Sequence, residues 1–223
     1  MTGPLTDFDT AYNNSAAVPG AADLIAALPE RARAFRDRTA PETVVYGAHP
    51  RMKLDLFRPQ GTPRGLLLFF HGGYWRMLDR SDWSHLAEGP LVRGWAVALA
   101  GYPLCPEVRI TDITRCARAA TARAAEMVDG PLLLSGHSAG GHLASRMVCA
   151  DTVMPAEVAV RVKGVLGISG VYDLRPLRRT AMNETLRMDA AEAAAESPIL
   201  AEPRAGARFI AWVGAAELPE FVR

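Results

Sequence analysis

The sequence predicts an α/β fold on a doubly wound, mostly parallel sheet, and three observations carry that prediction. Apolar runs that read as strands buried on both faces recur at residues 65–70, 95–100, 131–135, 162–169 and 208–213. Stretches with helical spacing separate them, the alternation that parallel sheets require. One run, Pro131-Leu132-Leu133-Leu134-Ser135, passes straight into Gly136-His137-Ser138-Ala139-Gly140 and then into a helical stretch, a strand–turn–helix with Ser138 at its apex.

The remaining elements follow in order. Residues 9–15 read as a polar, irregular piece. Ala21 to Arg38 reads as a helix with Leu24, Ile25, Leu28 and Ala32 on its packed face, and Arg31, Arg33, Arg36 and Arg38 on a solvated one. Residues 43–46 and 52–57 are strand candidates, and the second alternates as a half-exposed antiparallel edge strand does. A helix is expected from about Ser81 to Arg93, and a longer one from Ile110 to Val128. Residues 175–200 read as short helices and loops over the sheet. No linker composition or internal repeat interrupts the chain, so residues 1–223 are read as one domain.

Composition excludes several function classes. The 223 residues carry a net charge of +1, with 49% hydrophobic and 22% charged residues, so nothing electrostatic points to nucleic acid or an anionic membrane. Cys105, Cys116 and Cys149 are scattered, without metal-ligand spacing, and fit a reducing compartment. No run reaches the ~18 apolar residues needed to span a bilayer, and no signal-peptide pattern opens the chain. The expectation is a cytoplasmic protein with no cofactor and no metal, acting on a small molecule, with a homodimer as candidate assembly. Gly136-x-Ser138-x-Gly140 also lacks the glycine order of a dinucleotide fingerprint.

Two motifs carry chemistry. At Gly136 and Gly140 a side chain would collide with the neighbouring strand or helix, which leaves the Ser138 hydroxyl clear of the sheet at a helix N-terminus. The second motif, His71-Gly72-Gly73-Tyr74-Trp75, ends another buried run. Its glycines either aim backbone N–H groups at a substrate oxygen or simply supply positive φ. Tyr74 and Trp75 either wall a substrate pocket or pack the loop down.

With Gly136-His137-Ser138-Ala139-Gly140-Gly141-His142, that motif resembles the α/β-hydrolase superfamily, and Tyr-Trp after His-Gly-Gly narrows the resemblance to kynurenine formamidase and related small esterases. Tyr102-Pro103-Leu104-Cys105-Pro106-Glu107, Asn183 and Ser197-Pro198 resemble the same group, and the likeness runs from Tyr12-Asn13-Asn14 onward. The resemblance implies a Ser–acid–His relay with Ser138 as nucleophile and an oxyanion hole from Gly72, Gly73 and the N–H of Ala139. It places the acid after the last strand, at Glu217, with Asp173 as rival.

The implied histidine should follow the acid on a further helix, strand and loop. Residues 218–223 hold none, and all five histidines lie upstream. His137 is expected to point away from Ser138 into the core, and His142 to lie down the helix axis. His71 should brace its loop, while His49 and His85 lie in a strand connection and on an outer helix. The expectation is therefore an α/β-hydrolase fold lacking its last strand and helix, C-terminally incomplete, poorly stable and nearly inactive alone. Equal turnover by this chain and a tail-extended form would refute it. The expected activity is hydrolysis of a small amide, N-formylkynurenine as best guess. The alternatives are a carboxylesterase for acetyl or feruloyl esters, or a non-catalytic protein that keeps the pocket.

Overall fold

A computed structural model describes residues 7–222. The polar N-terminal piece forms two short helices, α1 (Phe8–Tyr12) and α2 (Asn14–Ala17), where irregular chain was expected. Each starts on a side-chain cap: Asp7 accepts from Thr10 N and Asn13 from Ala16 N. Helix α3 (Ala21–Arg38) follows, then β1 (Glu42–Val45), β2 (Lys53–Phe57) and β3 (Leu66–Phe70). A 3-10 helix, Arg80–Ala87, leads into α4 (Glu88–Val92), where one continuous helix was expected. Strand β4 (Ala96–Ala100), α5 (Ile110–Met127), β5 (Leu132–His137), α6 (Ala139–Arg146) and α7 (Ala156–Ala159) come next. Strand β6 (Val162–Ile168), α8 (Asn183–Leu186), α9 (Ala190–Ala195), β7 (Arg208–Trp212) and α10 (Pro219–Val222) complete the order.

The seven strands form one sheet in the order β1-β2-β4-β3-β5-β6-β7. From β4 to β7 all pairings are parallel; β1–β2 and β2–β4 are antiparallel. The five apolar runs thus make the parallel block. Its main core packs Leu66, Leu68, Phe70, Leu132 and Leu134 against Ile113, Ala117 and Ala120 of α5 and Leu143 of α6. Strand β7 is the far edge, and its Phe209, Ile210 and Trp212 are exposed.

Strand β2 is not the edge strand its alternation suggested. It lies between β1 and β4, and the polar residue that made it alternate, Asp55, is fully buried. The reason is an ion-pair network under α3. Arg36 Nη1 lies 2.8 Å and Arg80 Nε 3.1 Å from Asp55 Oδ2, and Thr43 Oγ1 donates to Oδ1 at 2.7 Å. Arg36 therefore leaves the solvated face to which the sequence assigned it. Deleting the carboxylate would strand two partly buried guanidinium groups, which costs about 3–5 kcal/mol. Asp55→Ala is expected to lower the urea midpoint accordingly, and a change under about 1 kcal/mol would show that the network contributes little.

Helix α3 departs from expectation on its other face too. Of the predicted stripe only Ala32 is buried, joined by Phe35. Leu24 is 60% exposed. Leu24 and Ile25 overhang a cavity instead, and Leu28 lines that cavity while also packing against the core around Phe35.

Candidate active site

Strand β5 enters α6 through Ser138, whose backbone sits at φ 54°, ψ −117°. That region costs a non-glycine residue roughly 1–3 kcal/mol and persists only where the surroundings impose it. Two glycines impose it. A Cβ on Gly136 would lie 2.1 Å from the Gly140 carbonyl oxygen, and one on Gly140 would lie 2.0 Å from that of Phe70. The turn closes only because strand and helix backbones touch at these positions. Among the described residues no side chain hydrogen-bonds the Ser138 hydroxyl, and it opens into a cleft of about 90 Å³ beside Gly73, Tyr74, His137 and Ser169.

The His71–Trp75 loop lies over the end of β5. His71 is buried and stacked on Tyr102, 4.2 Å between centroids, and the Tyr102 hydroxyl donates to the His71 carbonyl at 2.6 Å. A Cβ at Gly72 would sit 2.9 Å from His137 Nδ1, so only glycine lets the loop approach this closely. Gly73 takes φ 116°, and its carbonyl accepts from the N–H groups of Arg76 and Met77, which turns the loop back. Tyr74 and Trp75 also sit at positive φ. Tyr74 faces the cleft, its hydroxyl 3.0 Å from Ser15 Oγ.

Trp75 does not wall the pocket. It is 1% exposed, and its indole N–H donates to His142 Nδ1 at 3.3 Å. His142 Nε2 then donates to the Glu196 carbonyl at 2.7 Å, which fixes a neutral ring away from the cleft. Burial pushes His142 down to about 3 and His71 down to about 4. Both rings are neutral in the fold and must charge in the unfolded chain below its pKa of about 6.5. Their contribution is therefore full above about pH 6.5 and is lost as the pH falls towards 3–4. Between pH 7 and 5 each is expected to remove about 2 kcal/mol. Thermal unfolding should show that loss, and His142→Gln should narrow the gap between the two pH values.

His137 corrects a second expectation. It does not point into the core but lines the cleft with Ser138, its ring tilted against Trp83 at 5.4 Å. Its Nδ1 is buried without a hydrogen-bond partner. Burial pushes its pKa down, and the charge of Glu217 opposes that. His49 is engaged by Glu107 at 2.9 Å, and His85 sits on the 3-10 helix before α4. Among the described residues no histidine hydrogen-bonds Ser138 or Glu217.

Glu217 lies just after β7, and its carboxylate is held from three sides. Oε1 accepts from Ser169 Oγ at 2.6 Å and Gly214 N at 2.8 Å, and Oε2 accepts from Asn14 Nδ2 at 2.7 Å. Asn14 Oδ1 in turn accepts from Leu218 N at 3.1 Å. Asp173 is engaged elsewhere. Arg175 binds it through three N–H groups, chiefly its guanidinium, which holds the carboxyl below its ordinary range, and it does not line the cleft.

The site thus gathers Ser138, Gly72, Gly73, Tyr74 and, at its rim, Glu217, with Ala139 N opening α6. It leaves out Trp75 and Asp173. Sequence reasoning missed Asn14, Ser15, Trp83 and Ser169. Ser169 had a signal: it follows the carboxyl end of a parallel strand, where ligands of open α/β sheets bind. Among the described residues no His, Cys, Asp and Glu cluster is placed to hold a metal, and no helix is long and apolar enough to cross a membrane.

A strained serine between strand and helix, faced by a Gly-Gly loop, defines a class, and the family comparison agrees. The model of the alpha/beta hydrolase family matches residues 67–223, and the chain belongs to that family. Kynurenine formamidase of Danio rerio is 31% identical over 172 residues, covering 73% of this chain and 58% of that protein. The Drosophila melanogaster kynurenine formamidase is 35% identical over 134 residues, 57% of this chain and 44% of that one. The chain thus spans little more than half the length of the zebrafish relative. A crystal structure of a candidate thioesterase from Silicibacter sp. TM1040 superposes with a TM-score of 0.92 at 49% identity, covering 98% of this chain and 84% of that one.

Proposed function

We propose that the protein is a serine hydrolase of small carboxylic amides, with an N-formyl arylamine such as N-formylkynurenine as its substrate. The observation that carries this reading is Ser138: a strained residue whose hydroxyl has no hydrogen-bond partner among the described residues, facing the Gly72–Gly73 loop across a cleft too small for a large acyl group. The likeness to two kynurenine formamidases supports the substrate class.

Ser138 Oγ attacks the formyl carbon. The developing oxyanion is met by backbone N–H groups of the Gly72–Gly73 loop and of Ala139, where the N-terminal end of α6 favours negative charge. The C–N bond breaks, the amine leaves with a proton, and water then releases formate from the acyl-enzyme. Glu217 is the acid of the relay. Its own bonds to Ser169, Gly214 and Asn14 fix it in one orientation. The proton acceptor is the part that residues 7–222 do not place within hydrogen-bond reach of Ser138. A cytoplasmic location accords with this reading.

Turnover of N-formyl against O-acetyl derivatives of one aromatic leaving group tests it. A tenfold preference for the N-formyl compound supports the amidase. The reverse preference replaces it with a carboxylesterase, and rates insensitive to Ser138 remove the nucleophile.

A further inference from the structure

A second cavity, about 470 Å³, adjoins the Ser138 cleft and shares Asn14, Ser15, Ile25, Leu28, Trp83, His137 and Ser169 with it. We infer that this chamber takes the leaving-group half of the substrate, seating the aryl ring of the departing amine, and that Ile25 and Leu28 set the size of ring accepted. The inference rests on Ser138 being the residue that receives the acyl group.

The two volumes divide the substrate unequally. The cleft of about 90 Å³ is much the smaller of the two and suits a compact acyl group. The chamber falls within the roughly 300–1,000 Å³ of small-molecule sites. Its roof is the first half of α3. There Leu24 is exposed and Ile25 and Leu28 are half-buried, Leu28 also touching the core, whereas Ala32 and Phe35 on the next turns are packed at 1% and 4% exposure. An amphipathic helix that seals its apolar stripe at one end and holds it over a cavity at the other leaves that stripe for a ligand.

The wall opposite makes few demands. Both Glu217 oxygens are taken, by Ser169 and Gly214 on one side and Asn14 on the other. An apolar guest therefore takes no hydrogen bond away from the Glu217 carboxylate. Trp83, packed between Phe69 and His137, adds aromatic lining shared by cleft and chamber.

Calorimetric titration of the chain with 1-naphthylamine, standing for the leaving group, and with octanoate, standing for a long acyl chain, tests the assignment without turnover. 1-Naphthylamine should bind, octanoate should not displace it, and Leu28→Trp should weaken binding at least tenfold. Should Leu28→Trp fail to fold, Ile25→Ala serves instead and should shift preference at least fivefold towards 2-aminoanthracene. No binding by wild type, unchanged affinities in the folded variants, or displacement by octanoate would each overturn the inference. Failure of the Ser138 reading appears elsewhere, as hydrolysis or covalent labelling that survives Ser138→Ala.

Discussion

Replacing Ser138 with alanine abolishes covalent labelling by a fluorophosphonate probe and lowers turnover of an N-formyl arylamine by about a thousandfold or more. No other hydroxyl in the cleft combines a strained backbone with freedom from hydrogen bonds. Ser15 meets Tyr74, and Ser169 is committed to Glu217. Because the Ser138 hydroxyl holds no partner among the described residues, its loss should leave the thermal midpoint within about a degree or two, which separates chemistry from folding. Labelling that persists in the variant would place the nucleophile elsewhere. If the folded wild type does not label either, the elbow is built but has no base in reach. His137, the one histidine facing the cleft, would then be excluded as that base.

Gly140→Ala should be among the most damaging single methyls that the described glycines could receive. The added Cβ would fall 2.0 Å from the Phe70 carbonyl oxygen and 2.5 Å from that of His71, both backbone atoms at the end of β3. Neither can swing aside as a side-chain tip would, so α6 must be levered off the sheet. The expected cost exceeds about 3 kcal/mol, the upper range for an overpacked methylene. Gly20→Ala is the control: unlike Gly140 it has positive φ, 74°, but nothing lies within 4 Å of its added Cβ. Its cost should stay near the 1–2 kcal/mol of left-handed backbone alone. Urea midpoints of the two variants measure the difference, and equal losses would mean that the contact with β3 relaxes freely.

The elbow and the Gly-Gly loop were legible in the sequence because backbone clashes demand glycine at fixed offsets, and fixed offsets survive without a structure. The parallel strands were legible for a similar reason, since burial on both faces admits only apolar runs. What the sequence hid depends on closure between distant segments. Asp55 looked like the solvent side of an edge strand until α3 delivered Arg36 onto it. Asn14 and Glu217 lie 203 residues apart and nothing local pairs them. His137 ends β5 and lines the cleft beside Trp83, a segment 54 residues upstream that no local pattern pairs with it. Trp75 was named correctly as a loop residue, yet its partner, His142, sits a helical turn beyond the serine, so its inward turn had no local signal.

Asn14 and Ser15 are neighbours in sequence, yet one holds the turn that carries Glu217 and the other holds Tyr74 of the Gly-Gly loop. Docking of the first helices and formation of the site are therefore linked equilibria. Whatever ligand settles between the two walls prefers the docked state, and by reciprocity it must stabilise the N-terminal segment against opening by the same free energy that docking lends to binding. The start of the chain is in this sense a reporter of occupancy: amide exchange and protease cleavage in residues 8–17 should slow as the cavity fills, at a distance in sequence from every group that performs the chemistry.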